Sequence, residues 1–421
     1  MYSSMSFQLT FCACLCALFA CQSSPTTTQA SFRVGVSVAA INPPIGAFIA
    51  GDKQNRSFTG IHDSLYAKAF VVSDGRSQLA IVTLDCIGLL YPEVCRIREK
   101  AAALCGFPAE RVVVSSTHTH SGPDVVGIWG SDYQHSGVDS AYMVFLVNTA
   151  AAQIQHAFNN TQKATAFTAE TTFGAPWVQN ICKEEIDRTV ATLQFRDEKG
   201  APLVTLTNFA CHPTFMDARS SDVSADYVHG YYQTMKQQTG AEALFLQGAI
   251  GGWVQPEDGE GTFEKAFKRG RELAEAATEA LTKARPLASG KLQFSSKRIK
   301  FPVENEGWRQ LSAIGTIKRP IQDSVSTEIA WFSIGEAQFA THPGETAPFF
   351  ALETKNLMPG TGPKFVLGLS NDALGYILKP AFFEDKTLPH AEYLTSMSVG
   401  KPTGPLLLEQ LKALLDARGG K

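Results

Sequence analysis

The chain has 421 residues, room for one large domain or two of ordinary size, and 44% are hydrophobic, which supports a real core and excludes a disordered chain or a small module. Charged residues are only 18%, and 37 Lys and Arg against 40 Asp and Glu leave a net charge of −3. The basic excess that marks a nucleic-acid partner is missing.

In chain order, no charged side chain precedes Arg33, and the apolar run from Phe11 to Ala20 is shorter than the ~20 residues of a membrane span. It reads as a signal peptide over residues 1–20. Leu18-Phe19-Ala20-Cys21 resembles a bacterial lipobox, although the n-region carries no Lys or Arg. The expectation is an exported lipoprotein, periplasmic or outer-membrane associated, attached to the membrane through a lipidated Cys21 and a polar tether over 21–31. Of nine Cys, five lie beyond Cys21: Cys86, Cys95, Cys105, Cys182 and Cys211. An odd number without C-x-x-C spacing argues against a disulfide framework or a thiolate metal site, leaving Cys95 with Cys105 as a candidate bond beside the alternative of free thiols.

From Phe32 onward there is no repeat and no linker, which favours one catalytic-sized unit over 32–421. Short β-branched runs stop at small polar residues: Gln78 to Leu84, Arg111 to Ser115, Pro202 to Asn208, Ala243 to Leu246, Glu336 to Ala340 and Lys364 to Leu369. Helical patterns fall at Pro92 to Cys105, Ala141 to Phe158 and Thr262 to Ala284, closed by Pro286. The fold class expected is α/β, with mixed β-sheets flanked by α-helices and chemistry at the strand ends.

Four of the nine histidines follow predicted strands: His118 and His120 in SSTHTHSGP, His212 in ACHPT and His342 in THPGE. In an extended segment residues i and i+2 share a face, so His118 and His120 can address one cavity. Such a pair suits Zn²⁺, whose catalytic sites combine imidazoles with a carboxylate and leave a position for water. It equally suits hydrogen-bonded structural histidines, and spacing alone does not separate the two.

The strings Ser115 to Pro123 and Ala210 to Thr214 resemble the neutral/alkaline non-lysosomal ceramidase family, zinc amidases that hydrolyse the amide of ceramide. Gly35-Val36-Ser37, Gly60-Ile61-His62, Gln247-Gly248 through Pro256, Pro343-Gly344-Glu345 and Leu369 to Tyr376 follow in the family's order, so the resemblance runs from about Arg33 to Gly400. It implies a zinc-dependent hydrolase acting on ceramide or a related N-acyl sphingolipid. It implies as zinc ligands His118, His212, Glu345 and Tyr376, with His120 as the proton carrier and Tyr393 as a hydrogen-bond donor to the substrate carbonyl. Read without the resemblance, Glu345 also suits the acidic first turn of a helix running to Leu357, Tyr376 a packed loop aromatic and Tyr393 a rim aromatic. Asp85, after a strand, either orients an imidazole or caps the next segment.

Two departures stand out. The family's glycine loop usually continues with Asp and then Ser or Asn before Pro, whereas here it reads Gly251-Gly252-Trp253-Val254-Gln255-Pro256. Ile181 follows Asn180 where the family tends to carry Arg. The chain ends about where the catalytic region is expected to end, without the immunoglobulin-like domain of longer members. These departures keep open a zinc amidase for another N-acyl or peptide-like substrate, and a surface lipoprotein that binds lipid without turnover. The aromatics Trp253, Phe349, Phe350, Phe382 and Phe383 suit core packing better than a lipid pocket. Nothing in the sequence fixes an oligomeric state.

Overall fold

The computed structural model describes residue 1, residues 31–257 and residues 259–419. The expected signal peptide and lipidated Cys21 lie outside the described residues except for Met1, and Ser31, placed in the tether, already begins the first strand. Two β-sheets form the centre. The larger runs, from one edge, through Glu242–Gln247, Pro202–Phe209, Thr189–Arg196, Gln162–Thr172, Ser31–Ala40, Tyr66–Ser73, Gln78–Leu84 and Val112–Ser116, with the two-residue strand Arg285–Pro286 pairing off this path. Its two outermost pairs are parallel and the inner ones antiparallel. The smaller sheet comprises Leu292–Pro302, Ser324–Ile334, Ala337–Thr341 and Lys364–Leu367, and its last pair is parallel.

Strand alternation explains why the sheets stack. Phe70, Val72, Ile81, Val113, Leu244 and Leu246 point to one face of the large sheet and form a single apolar layer with Phe332, Ile334, Phe339 and Phe365 of the small one. Their neighbours Ala69, Val71, Ala80, Val82 and Val112 point the other way, toward helices. Those helices are α1 (Tyr91–Cys105), α2 (Ser140–Asn159), α3 (Tyr227–Thr239) and α4 (Phe263–Leu281). The short α5 (Glu306–Ala313), α6 (Pro348–Leu357), α7 (Ala381–Glu384) and α8 (Ala391–Ser396) follow, and α9 (Thr403–Gly419) packs on the small sheet. The result is a mixed α/β architecture of helices, sheet, sheet and helices, as the patterning implied.

Local signals account for the helix ends. Pro92 occupies the first turn of α1, where its missing N–H is not needed, and Gly106 ends that helix at φ 77°, its N–H returning to the Ala102 carbonyl. Asp139 caps α2 by accepting from the Ala141 and Tyr142 amides, and Thr262 caps α4 by accepting from Lys265. The candidate Cys95–Cys105 bond does not form: both are free thiols. They lie on α1, where the rise of ~1.5 Å per residue sets them about 15 Å apart, out of disulfide reach. Among the described residues no helix is long and apolar enough to cross a membrane.

Candidate metal centre

The site lies where strands of both sheets end. The strand Val112–Ser116 leads to His118, whose amide binds the Cys86 carbonyl at 2.9 Å and whose φ is +72°. The expectation of an extended H-x-H segment therefore fails in detail, because His118 sits in the left-handed region, which a non-glycine residue seldom adopts. The two rings converge nonetheless, 4.9 Å between centroids, with Nε2 of His120 3.3 Å from Nε2 of His118. His212, three residues beyond Pro202–Phe209, lies with its ring centroid 4.9 Å from that of His118.

His118 and His212 are oriented in the same way. Nδ1 of His118 donates to the Ile87 carbonyl at 2.5 Å, and Nδ1 of His212 to the Val254 carbonyl at 2.9 Å. With Nδ1 carrying the proton, each Nε2 turns a lone pair inward. Both then face one oxygen, Oε2 of Glu345, at 3.4 Å from His118 and 3.1 Å from His212. Nitrogen lone pairs opposing a carboxylate oxygen call for a cation between them. Ligands held at ~2.0 Å on a tetrahedron stand about 3.3 Å apart, so the donor set fits a zinc-sized ion. The ligating atoms of His118, His120 and His212 all lie within 4.8 Å of one another. Burial works against charge on Glu345, but its nearness to His118 and His212 outweighs it and holds its carboxyl well below the ordinary range. Burial also lowers the His212 pKa, keeping the imidazole in the neutral form a metal needs.

Glu345 begins a two-residue strand, Glu345–Thr346, paired in parallel with Tyr376–Ile377, so Tyr376 lies directly beside it. The helix-turn alternative for Glu345 does not hold, since α6 starts only at Pro348. Tyr376 is buried, and burial, helped by the charge of Glu345, pushes its phenol well above the usual value in the absence of an ion. Its oxygen accepts a hydrogen bond from the indole N–H of Trp253. Tyr393, on α8, is 46% exposed at the rim, its ring 5.2 Å from that of Trp253 and 6.4 Å from that of Tyr376. Gly251 lets the Trp253 loop press against this strand: a Cβ there would meet the Glu345 carbonyl at 2.4 Å.

His120 has a different partner. Its Nδ1 faces Oδ1 of Asp217 at 3.1 Å. Burial opposes ionisation of Asp217, but the hydrogen bond and charge of His120, with Arg56 and Arg219 nearby, hold its carboxyl below the usual range. Arg56 ties this corner together by donating to the carbonyls of Gly51 at 2.7 Å and Asp217 at 3.1 Å. Gly51 itself, at φ 89°, leaves the space the His120 ring occupies: a Cβ would stand 2.6 Å from that ring.

Asp85 does not orient an imidazole. It lies under the site, accepting from the Tyr66 amide at 2.8 Å and the Tyr232 hydroxyl at 3.2 Å. His342 is structural too: fully buried, it bonds Thr354 through Nε2, and burial lowers its pKa to about 3. The support the sequence concealed is Gln247. Its Nε2 donates to the carbonyls of Thr117 at 2.9 Å and Cys211 at 3.0 Å, the residues immediately before His118 and His212. Its Oε1 accepts from the amides of Cys211 and Gly248.

Fold and site together define a layered α/β protein with a buried histidine group able to hold a metal ion. The family model described as neutral/alkaline non-lysosomal ceramidase, N-terminal, matches residues 32–262. The chain belongs to that family. It is 26% identical over 231 residues to a neutral ceramidase of Drosophila pseudoobscura pseudoobscura, covering 48% of this chain and 32% of that protein. It is 25% identical over 250 residues to the neutral ceramidase of Drosophila melanogaster, covering 53% and 34%. The matches thus span about a third of those relatives' length. The neutral ceramidase of Pseudomonas aeruginosa superposes with a TM-score of 0.73 at 16% identity, over 92% of this chain and 74% of that one. A ceramidase complexed with C2 superposes at 0.74, also at 16% identity, over 93% and 76%.

Proposed function

We propose that the protein is a zinc-dependent amide hydrolase that cleaves the N-acyl bond of ceramide or a related N-acyl sphingolipid, releasing a sphingoid base and a fatty acid. The observation that carries this reading is the convergence of two inward-facing Nε2 atoms on one Glu345 oxygen, with the His120–Asp217 pair alongside. Family membership supplies the substrate class.

His118, His212, Glu345 and Tyr376 would hold the ion. When bound, zinc supplies Lewis acidity and a water that ionises near neutrality. His120 handles the proton: Asp217 accepts from its Nδ1 and stabilises the imidazolium, while Nε2 takes a proton from the attacking water and returns it to the departing nitrogen. In the ion-free chain partial burial, with the charge of Glu345, pushes the Tyr393 phenol up, so it is a hydrogen-bond donor at neutral pH. Its hydroxyl hydrogen-bonds the substrate carbonyl oxygen as negative charge builds there. The lipid chains are assigned to a groove of about 630 Å³ lined by Tyr133, Trp308, Leu311, Ile314 and Met397, none of which is a proposed ligand or catalytic residue. Trp308 and Met397 pack against Gly375, the neighbour of Tyr376.

The test is zinc content and hydrolysis measured side by side in wild type and His118→Ala, with ceramide, N-acyl amino acids and peptides offered separately. The expected outcome is about one zinc per wild-type chain and ceramide turnover, both lost in the variant. A second reading, an amidase for another N-acyl or peptide-like compound, is favoured by Trp253 and Ile181 standing where the family's polar residues are usual. Turnover of those compounds alone selects it. Wild type with neither zinc nor turnover rejects both in favour of a lipid-binding lipoprotein.

A further inference from the structure

We propose that Trp253 is a positioning residue of the metal centre, whose indole N–H fixes the phenol oxygen of Tyr376 for the ion. The inference rests on the zinc reading above.

Three observations meet at Trp253. Its Nε1 donates to the Tyr376 oxygen. Its backbone has φ +59°, a region that a bulky residue seldom adopts and that persists only where the surroundings enforce it. The surroundings do so. The Gly251 amide binds the Thr346 carbonyl at 2.9 Å, the Ile181 amide binds the Trp253 carbonyl at 3.1 Å, and the Val254 amide binds Ile250 at 3.0 Å. On the outer side the indole packs against His390 and Tyr393, with ring centroids 4.7 and 5.2 Å away.

The next residue has the matching task. The Val254 carbonyl accepts from both the amide and Nδ1 of His212, at 2.8 and 2.9 Å. Consecutive residues of one strained loop thus hold two proposed ligands, His212 through a carbonyl and Tyr376 through a side-chain N–H. Any large apolar ring would fill the indole's space, but the donor is specific to tryptophan among such residues. Outer partners of this kind typically change metal affinity 10–100-fold when removed. Where the family's loop usually carries Asp and Ser, this chain has invested the position in fixing a ligand.

The test compares wild type, Trp253→Phe, Tyr376→Phe and the double variant, each stripped of metal and checked for folding by circular dichroism. Zinc affinity is measured by competition with a chromophoric chelator, and the ligand field by the visible spectrum of the cobalt-loaded proteins. Trp253→Phe keeps the ring and removes the donor. It should weaken zinc binding about tenfold or more and move the cobalt spectrum toward that of Tyr376→Phe, and the double variant should bind no more weakly than Tyr376→Phe alone. A Trp253→Phe protein with wild-type affinity and spectrum, or effects that simply add in the double variant, overturns the proposal. Should Trp253→Phe fail to fold, ¹⁵N-indole labelling reads the contact in the intact chain. One of the five tryptophan N–H signals must then respond to zinc and lose that response in Tyr376→Phe; no such signal overturns the proposal. A wild type that takes up no metal refutes the zinc reading and this inference with it, whereas zinc uptake unchanged by Trp253→Phe refutes the inference alone.

Discussion

Asp217 opens a single 3₁₀ turn, Asp217–Arg219, and holds φ +36°, a conformation that brings its carboxylate to His120 across 97 positions of sequence. No motif marks it, and the strand-end aspartate that sequence does mark, Asp85, serves backbone and phenol instead. The histidines were legible because imidazoles after strand ends form a recognisable pattern. Their supports, Gln247, Gly51 and Asp217, were not, since an amide, a missing Cβ and a turn carboxylate acquire meaning only through contacts distant in the chain. The dyad leads to a prediction. Asp217→Asn leaves the inward nitrogens of His118 and His212 in place but removes the charge that stabilises protonated His120. Its zinc content should match wild type while kcat on the hydrolysed substrate falls about 100-fold, with the melting temperature little changed. A proportional loss of zinc and activity in that variant would show that Asp217 supports the metal rather than the proton.

At the level of elements, the strands found by sequence are those with a continuous apolar run: Gln78–Leu84, Val112–Ser116, Pro202–Phe209, Glu242–Gln247, Ala337–Thr341 and Lys364–Leu367 all lie within two residues of their expected bounds. Those passed over, such as Tyr66–Ser73 with its buried Lys68 and Gln162–Thr172 with its run of Ala and Thr, carry polar or small residues that break up the apolar signal. Tertiary pairing makes them strands. Helix α3 shows how an element end can store a pH dependence. Its cap, Asp226, is buried at φ +56° and accepts from the amides of Met216 at 2.9 Å and Tyr227 at 2.7 Å. Burial pushes its carboxyl up to about 7 against those two bonds, with Asp63 and Asp217 adding repulsion. The unfolded carboxyl has a pKa near ~3.9, so between about pH 4 and 7 the folded chain holds a proton that the unfolded chain has lost. Stability from this group is therefore present at low pH and declines as pH rises through that window, by an amount on the order of 4 kcal/mol. Asp226→Asn cannot ionise. It loses some stability at every pH, because its amide opposes one N–H donor, but its denaturation midpoint should fall less between pH 5 and pH 8 than that of wild type. Parallel pH profiles for the two proteins would place the titration elsewhere.

The whole molecule explains why the site lies where it does. The large sheet delivers His118 and His212, the segments following two strands of the small sheet deliver Glu345 and Tyr376, and the two sheets otherwise meet through an apolar layer without direction of its own. Specific polar ties between them cluster near the ligands. Asn208 donates to the carbonyls of Leu246 in one sheet and Val366 in the other, and the Gly368 amide binds Gln247. The proposed ion, held by groups from both sheets, would add a further tie. Where it binds the folded chain in preference to the unfolded one it would stabilise by mass action, about 4 kcal/mol when free zinc stands a thousandfold above the dissociation constant. For a chain of this size that corresponds to roughly 5 °C. Chelation should therefore lower the melting temperature of wild type by about that much, zinc should restore it, and His118→Ala should respond to neither treatment. Because the tie joins two layers, amide exchange after chelation should rise at Gly251, Thr346 and Gly368, where the sheets' ends meet, before it rises in the inner strands Ser31–Ala40 and Gln162–Thr172. Uniform exchange across both sheets would mean that the ion joins nothing, whatever its part in catalysis.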